Sequence, residues 1–425
     1  MSLYLKDATH VDWRTLKFTR GHLRVEEGDA GGLEFVSEVP AEPAAGDRVL
    51  NCSGKLVTRA FACGHHHAYS ALSRGMPPPL KAPADFAQKL EYVWWKLDRA
   101  LDPELVLLSA LATALQCARC GVTYVIDHHS SPNAVEGSLD AIAGAFAEVG
   151  VGVLPCLELS DRDGAAACEK GLAETGNRLA AGKPCLVGLH ASFTVGDDLL
   201  QRAVALARKY MSGLHVHAAE DAVDQETTYS LYGCRVVKRF QEAGVLDFSR
   251  TILVHGLHLD REERALLKGS PAWVAENMES NLNNRVGLFR GEGLSSRVML
   301  GTDGMHSDML RSAQAAYFSG IEPERADLAE IYSRLRRVHD YLAENGFAGD
   351  GENNLVVLDY PTPTPLGEDN FLAHLFYGMS ACHVESVVAR GRLIVEKRRV
   401  LNVDEQEVLA LTRAGAERLW KRLAQ

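Results

Sequence analysis

The sequence predicts an α/β fold, a distorted (β/α)₈ barrel of the TIM type with a small β-sandwich-like domain drawn from both chain ends. Three observations predict it: eight short apolar, β-branched runs recur through the middle of the chain, helically patterned stretches separate them, and the two ends break the pattern. The first run spans residues 56–67 (LVTRAFACGHHH). It is followed by 122–129 (VTYVIDHH), 151–160 (VGVLPCLELS), 185–194 (CLVGLHASFT), 213–220 (GLHVHAAE), 251–258 (TILVHGLH), 272–280 (AWVAENMES) and 298–304 (VMLGTDG). Stretches such as LLQRAVALARKY and GCRVVKRFQEAG lie between them with helical spacing of apolar residues. Strand–helix alternation with buried strands closes a barrel after eight repeats.

Residues 1–54 and 368–425 do not continue this alternation. The first stretch carries short alternating pieces and turns (RGHLRVEEGDAGGLEF). The last carries a hairpin-like SVVARGRLIVEKRRVLNV and a polar helix ending in ERLWKRLAQ. These two ends are expected to pack together as one β-rich domain beside a barrel of residues 55–367.

Composition narrows the function classes. With 46% hydrophobic and 24% charged residues in 425, the chain has the balance of a protein with a large buried core. A formal net charge of −11 argues against a nucleic-acid partner, whose phosphates call for a basic face. The beginning, MSLYLKDATHVDW, lacks a basic region followed by an apolar one, and no stretch approaches the ~18 apolar residues of a membrane span. A cytoplasmic location with no membrane partner is expected. Nine cysteines scattered through the chain fit free thiols in a reducing compartment. Cys117 and Cys120 fall in ELVLLSALATALQCARCG, which reads as a buried helix ended by Gly121, so core packing outranks redox or zinc chemistry for that pair.

Polar residues crowd the C-terminal ends of the predicted strands, the rim where a barrel of this kind builds its site. His65-x-His67 puts two imidazoles on one strand face. Alone, such a pair is more often a polar strand edge. His217-Ala-Ala-Glu220 offers a further nitrogen and a proton donor, or a carboxylate placed for a helix dipole. His215 falls one pleat deeper, in the barrel wall. His255 follows in TILVHGLHLD and Asp303 in VMLGTDG, each with a structural alternative of its own. Four distant strands delivering such groups to one end favour a site for a single divalent cation. Three imidazoles and a carboxylate suit zinc, and iron(II) and manganese are the other ions such a set accepts.

GHHHAYSALSRGMP, HAAE, VHGLHL and GTDG resemble the metal and catalytic motifs of the amidohydrolase superfamily. The likeness is to its aminohydrolase branch of cytosine, guanine and S-adenosylhomocysteine deaminases and triazine chlorohydrolases. IDHHSSPNAVEGSLDAI, GLHASFT, ESNLNNRVG and GTDGMHSDM resemble the SsnA-type aminohydrolases, a family associated with selenium-dependent purine catabolism. The resemblance implies that His65, His67, His217 and Asp303 bind the metal, that Glu220, His255 and Asp303 move protons, and that His190 contacts the substrate. It also implies a single ion, because the fourth strand (CLVGLHASFT) lacks a bridging acid or lysine. One departure stands out: the seventh strand reads ENMESNLNN, with Glu276 and Met278 where His and Pro are expected, which bears on the substrate side.

The expected reaction is attack of metal-activated water on a carbon–nitrogen bond of a small N-heterocycle, most simply a purine-like amine. Arg74, on the loop after the first strand, and His129 are expected to help bind that substrate, and a homo-oligomer is the expected assembly. Three rival readings are ring opening of a cyclic amide in purine catabolism, a non-catalytic metal-binding scaffold on the same fold, and a facial-triad iron oxygenase. The last usually sits on an all-β barrel.

Overall fold

The computed structural model describes residues 2–424. Eight strands among them run parallel, each beside the next: β1 (Phe61–His66), β2 (Val122–His129), β3 (Gly152–Leu159), β4 (Leu186–Ala191), β5 (Leu214–Ala218), β6 (Ile252–His255), β7 (Trp273–Glu276) and β8 (Val298–Leu300). Their Val-, Ile- and Leu-rich runs are buried almost throughout, as strands covered on both faces must be.

The barrel closes where β8 returns to β1. The carbonyl of His65 accepts from the backbone N–H of Thr302 at 2.9 Å and of Asp303 at 3.2 Å, and His66 bridges Asp303 in parallel. Gly301 permits this approach: a Cβ there would lie 2.8 Å from the carbonyl oxygen of His65 and 2.9 Å from its Cβ. A side chain at 301 would wedge the seam open.

Most of the predicted strands are shorter than the sequence suggested, and two of them lose residues to another sheet or to an α-helix. Leu56–Arg59 leaves the barrel for a second sheet, and the end of the seventh run is helical from Met278. The helices used below are α1 (Pro103–Arg119), α2 (Met278–Asn284), α3 (Leu328–Glu344) and α4 (Glu405–Leu423). The start of α1 is set by Asp102, whose side chain accepts from Leu105 N–H, and by Pro103 in the first turn. Gly121, at φ +76°, turns the chain into β2.

The second sheet is mainly antiparallel and runs 399–400, 392–396, 384–389, 355–358, 56–59, 2–11, 18–26 and 33–36, with 48–51 paired on 2–11. It therefore joins both chain ends, as expected, and also takes Leu56–Arg59 and Leu355–Leu358 from the stretch expected to belong to the barrel. The final helix departs from expectation as well. α4 lies on α1 of the barrel, with Trp420 donating from Nε1 to the carbonyl of Leu72 at 2.8 Å. Among the described residues no single helix is long and apolar enough to cross a membrane.

Candidate active site

The C-terminal ends of β1, β5, β6 and β8 meet at one mouth of the barrel. His65 and His67, two residues apart at the end of β1, both turn inward. The Nε2 atoms of His67 and His217 stand 3.2 Å apart. Asp303 Oδ1 lies 3.0 Å from His67 Nε2 and 3.5 Å from His65 Nε2. His65, His67 and His217 form a cluster able to hold a metal ion.

The hydrogen bonds on the far side of each ring decide what these nitrogens are. His67 Nδ1 donates to the carbonyl of His128 at 2.6 Å, and His217 Nδ1 donates to the carbonyl of His190 at 2.8 Å. A carbonyl only accepts, so Nδ1 carries the proton and each Nε2 presents a lone pair. His65 Nδ1 meets His215 Nε2 at 2.9 Å, and its own Nε2 is buried with no hydrogen-bond partner among the described residues. Three imidazole nitrogens and a carboxylate oxygen thus converge on one buried point, an arrangement that fits a divalent cation. The field at this point draws positive charge: burial works against charge on His67, yet Asp303 outweighs it and pushes the His67 pKa up to about 9, so a divalent cation here takes the place of a proton on Nε2. Burial opposes charge on Asp303 too, and the surrounding histidines hold its carboxyl well below the usual range.

Glu220 and His255 stand beside this cluster. His255 Nε2 is 3.5 Å from Glu220 Oε2 and 3.9 Å from Asp303 Oδ2. Burial lifts the pKa of Glu220, the direction that favours a carboxyl able to carry a proton. His255 and Asp303 have left-handed φ of 72° and 52°, and Ala219, just before Glu220, has 52°. Such backbone is costly for non-glycine residues and clusters where side chains must be aimed.

The polar support comes from α2, which sequence reasoning missed. Ser280 donates to Asp303 Oδ2, His255 Nδ1 donates to Asn281 Oδ1 at 2.8 Å, and Asn284 Nδ2 donates to Glu220 Oε1 at 3.2 Å. The run S-N-L-N-N was visible, but its period on a strand differs from that on a helix, and only the helix gathers these three residues. Glu276, flagged as a change on the substrate side, does not line the cavity. It is buried against Arg334 of α3 at 2.9 Å, and burial pushes its pKa up to about 7 against the pull of that guanidinium. Met278 is core.

A cavity of about 60 Å³ opens from the cluster. Its roof is the segment 86–100, where Phe86, Leu90, Trp94 and Trp95 pack near Val286. Its outer wall holds His190, whose Nδ1 meets Thr194 Oγ1 at 2.6 Å, and a buried group in which Arg162 pairs with both Asp98 and Glu158. Asp98 Oδ1 has no hydrogen-bond partner among the described residues. Burial pushes Asp98 up to about 7, with Arg162 opposing. Burial acts the same way on Glu158, but His190, Arg162 and His128 together hold it down to about 2.

Two expected substrate contacts lie elsewhere. His129 is fully buried outside the cavity lining, with Nε2 at 2.7 Å from Ser131 Oγ, because neighbours on β2 face opposite ways and His128 takes the inward position. Arg74 lines a separate outer groove of about 640 Å³ that shares Ser70, Trp94, Asn283, Gly304 and Met305 with the inner cavity. Cys117, in α1, and Cys120, just past its end, are free, buried thiols.

A family model described as "Amidohydrolase family" matches residues 56–333. The 5-methylthioadenosine/S-adenosylhomocysteine deaminase of Syntrophomonas wolfei is 25% identical over 427 residues, covering 94% of each chain. The 5′-deoxyadenosine deaminase of Methanopyrus kandleri is 26% identical over 381 residues, covering 84% of each. Among solved structures, a zinc-bound adenosine deaminase from Xanthomonas campestris superposes with a TM-score of 0.83 at 18% identity, covering 98% of both chains, a likeness of fold.

Proposed function

The chain belongs to the amidohydrolase family and is a hydrolase of non-peptide carbon–nitrogen bonds, and from that premise we propose that it deaminates a purine-like heterocycle. The observation that carries this reading is the convergence of three imidazole Nε2 positions and one carboxylate beside a second carboxyl, Glu220, at the floor of a cavity. The names of the related proteins, deaminases of adenosine-type substrates, support the same reaction class.

His65, His67, His217 and Asp303 would hold the ion, and a three-nitrogen, one-oxygen set suits zinc. A bound divalent ion supplies Lewis acidity, making water acidic enough to act as a nucleophile near neutral pH. Asp303 and His255 would accept the proton of the attacking water. Glu220 delivers a proton to the ring nitrogen next to the carbon under attack. That carbon becomes tetrahedral; the proton held on Asp303 or His255 passes to the amine, which leaves as ammonia, and the carbon's hydroxyl returns a proton to Glu220 as it becomes a carbonyl. The aromatic roof covers the ring and excludes bulk water, which strengthens each of these electrostatic contacts. His190 and the unpartnered oxygen of Asp98 offer hydrogen bonds to the rest of the substrate, and Arg74 would meet any part reaching the outer groove.

The test is a screen of zinc-, iron- and manganese-loaded protein against aminopurines, adenosine derivatives, pterins and cyclic ureides, read by ammonia release and by product mass. Metal-dependent ammonia release from an amino-substituted ring supports the proposal. Ring opening without loss of the exocyclic amine would replace it.

A further inference from the structure

We propose that Asn284 is a positioning residue for Glu220, and that Lys89, on the segment roofing the cavity, sets the orientation of Asn284 in turn. The inference rests on the assignment of Glu220 as proton donor.

Glu220 follows the end of β5 in a bend, so regular backbone does not aim its carboxyl group. Asn284 does. Its Nδ2 donates to Glu220 Oε1 at 3.2 Å, which leaves Oε2 turned toward His255 Nε2, 3.5 Å away. The same Nδ2 reaches Ser280 Oγ at 3.4 Å, and Ser280 donates to Asp303. One carboxamide therefore ties together the two acids assigned to proton transfer, Glu220 directly and Asp303 through a hydroxyl.

A carboxamide can be turned over, which would present oxygen instead of nitrogen to Glu220 and replace attraction with repulsion. Lys89 removes that option. Its ammonium has donors only, and it bonds Asn284 Oδ1 at 3.1 Å and the carbonyl of Asn283 at 2.9 Å. With Oδ1 held by Lys89, Nδ2 must face Glu220. Lys89 is half-buried and ends the short helix 86–89, whose start is fixed by Asp85 accepting from Gln88 N–H at 2.8 Å. Phe86 and Leu90, on either side of it, belong to the apolar cluster of the roof with Val286. The roof and the aim of Glu220 are thus linked through one side chain.

The experiment compares Asn284→Ala, Asn284→Asp, Lys89→Met and the double variant Lys89→Met/Asn284→Ala in zinc-loaded protein. Loss of the hydrogen bond that aims the acid predicts a fall in kcat of about tenfold for Asn284→Ala, with KM within about twofold and metal content unchanged. Asn284→Asp keeps the shape but loses the donor, so it should be at least as slow as the alanine variant. A purely structural role predicts the reverse order. Lys89→Met should lower kcat by a smaller factor, about threefold, and the double variant should be no slower than Asn284→Ala, because both act through one contact. Independently of turnover, a crystal structure of zinc-loaded Asn284→Ala should show Glu220 swung away from His255. An undisturbed Glu220, or losses that multiply in the double variant, would overturn the proposal. If wild-type protein releases no ammonia from any substrate, the deaminase reading fails by itself, and the position of Glu220 in the variant still decides the role of Asn284.

Discussion

Glu220 and glutamine have nearly the same shape, so Glu220→Gln isolates the proton from the packing. The variant is expected to keep its metal and lose about 10²–10⁴-fold in kcat, as measured by ammonia release beside metal analysis. A Gln variant running at the wild-type rate would remove Glu220 from the proton path. At this scale the sequence was informative where chemistry and local geometry coincide. His65 and His67 share a strand face, and His217, His255 and Asp303 close runs that end at the same rim. It was uninformative where a side chain's partner comes from a distant strand. His129 and His128 are equally polar neighbours, and only the register of β2 in the closed barrel sends His128 inward, its Nε2 within 3.2 Å of two carbonyls, and His129 outward. His215 looked like barrel wall and proves to be the contact of His65 Nδ1, a pairing 150 residues apart.

At the scale of elements, the eight barrel strands were legible because each is a continuous apolar run, whereas α2 was not, because seven polar-rich residues after β7 carry no helical apolar period. The departure at Glu276 is explained by α3, whose Arg334 occupies the buried space behind β7 and pairs with that carboxylate. The same helix fastens the second sheet to the barrel. The side chain of Asp350, just beyond α3, is fully buried against His339 Nδ1 at 2.8 Å and Arg59 at 3.2 Å, and Arg59 ends the strand that left the barrel. Burial disfavours the Asp350 charge, but His339 and Arg59 outweigh it and hold its pKa below the usual 3.8. A depressed carboxylate contributes stability that is present above its unfolded pKa and is lost as pH falls through the lower folded value. Asp350→Asn should therefore be destabilised by about 3–5 kcal/mol near neutral pH, the cost of breaking a buried pair. The gap to wild type, followed by denaturant unfolding across pH, should narrow only below about pH 4. A gap that closes between pH 7 and 5 would contradict this account.

At the scale of the whole molecule, the seam of the barrel and the candidate metal cluster occupy the same place. β1 and β8 touch through the short bridge at His65, His66 and Asp303, and the proposed ligands sit on both sides of it, two from β1 and one from β8. An ion at that point would rivet the first turn of the chain's cylinder to the last. It would add to global stability by mass action, about 4 kcal/mol at a thousandfold excess over its dissociation constant. Chelation should be felt first as local loosening: amide exchange should quicken in residues 61–67 and 298–303 before it does in β3 and β4 on the opposite wall, and re-addition of zinc should restore it. Uniform exchange around the barrel would sever the link between cation and seam. A staved cask behaves the same way when its hoop is cut, parting first at the joint where the last board was driven in.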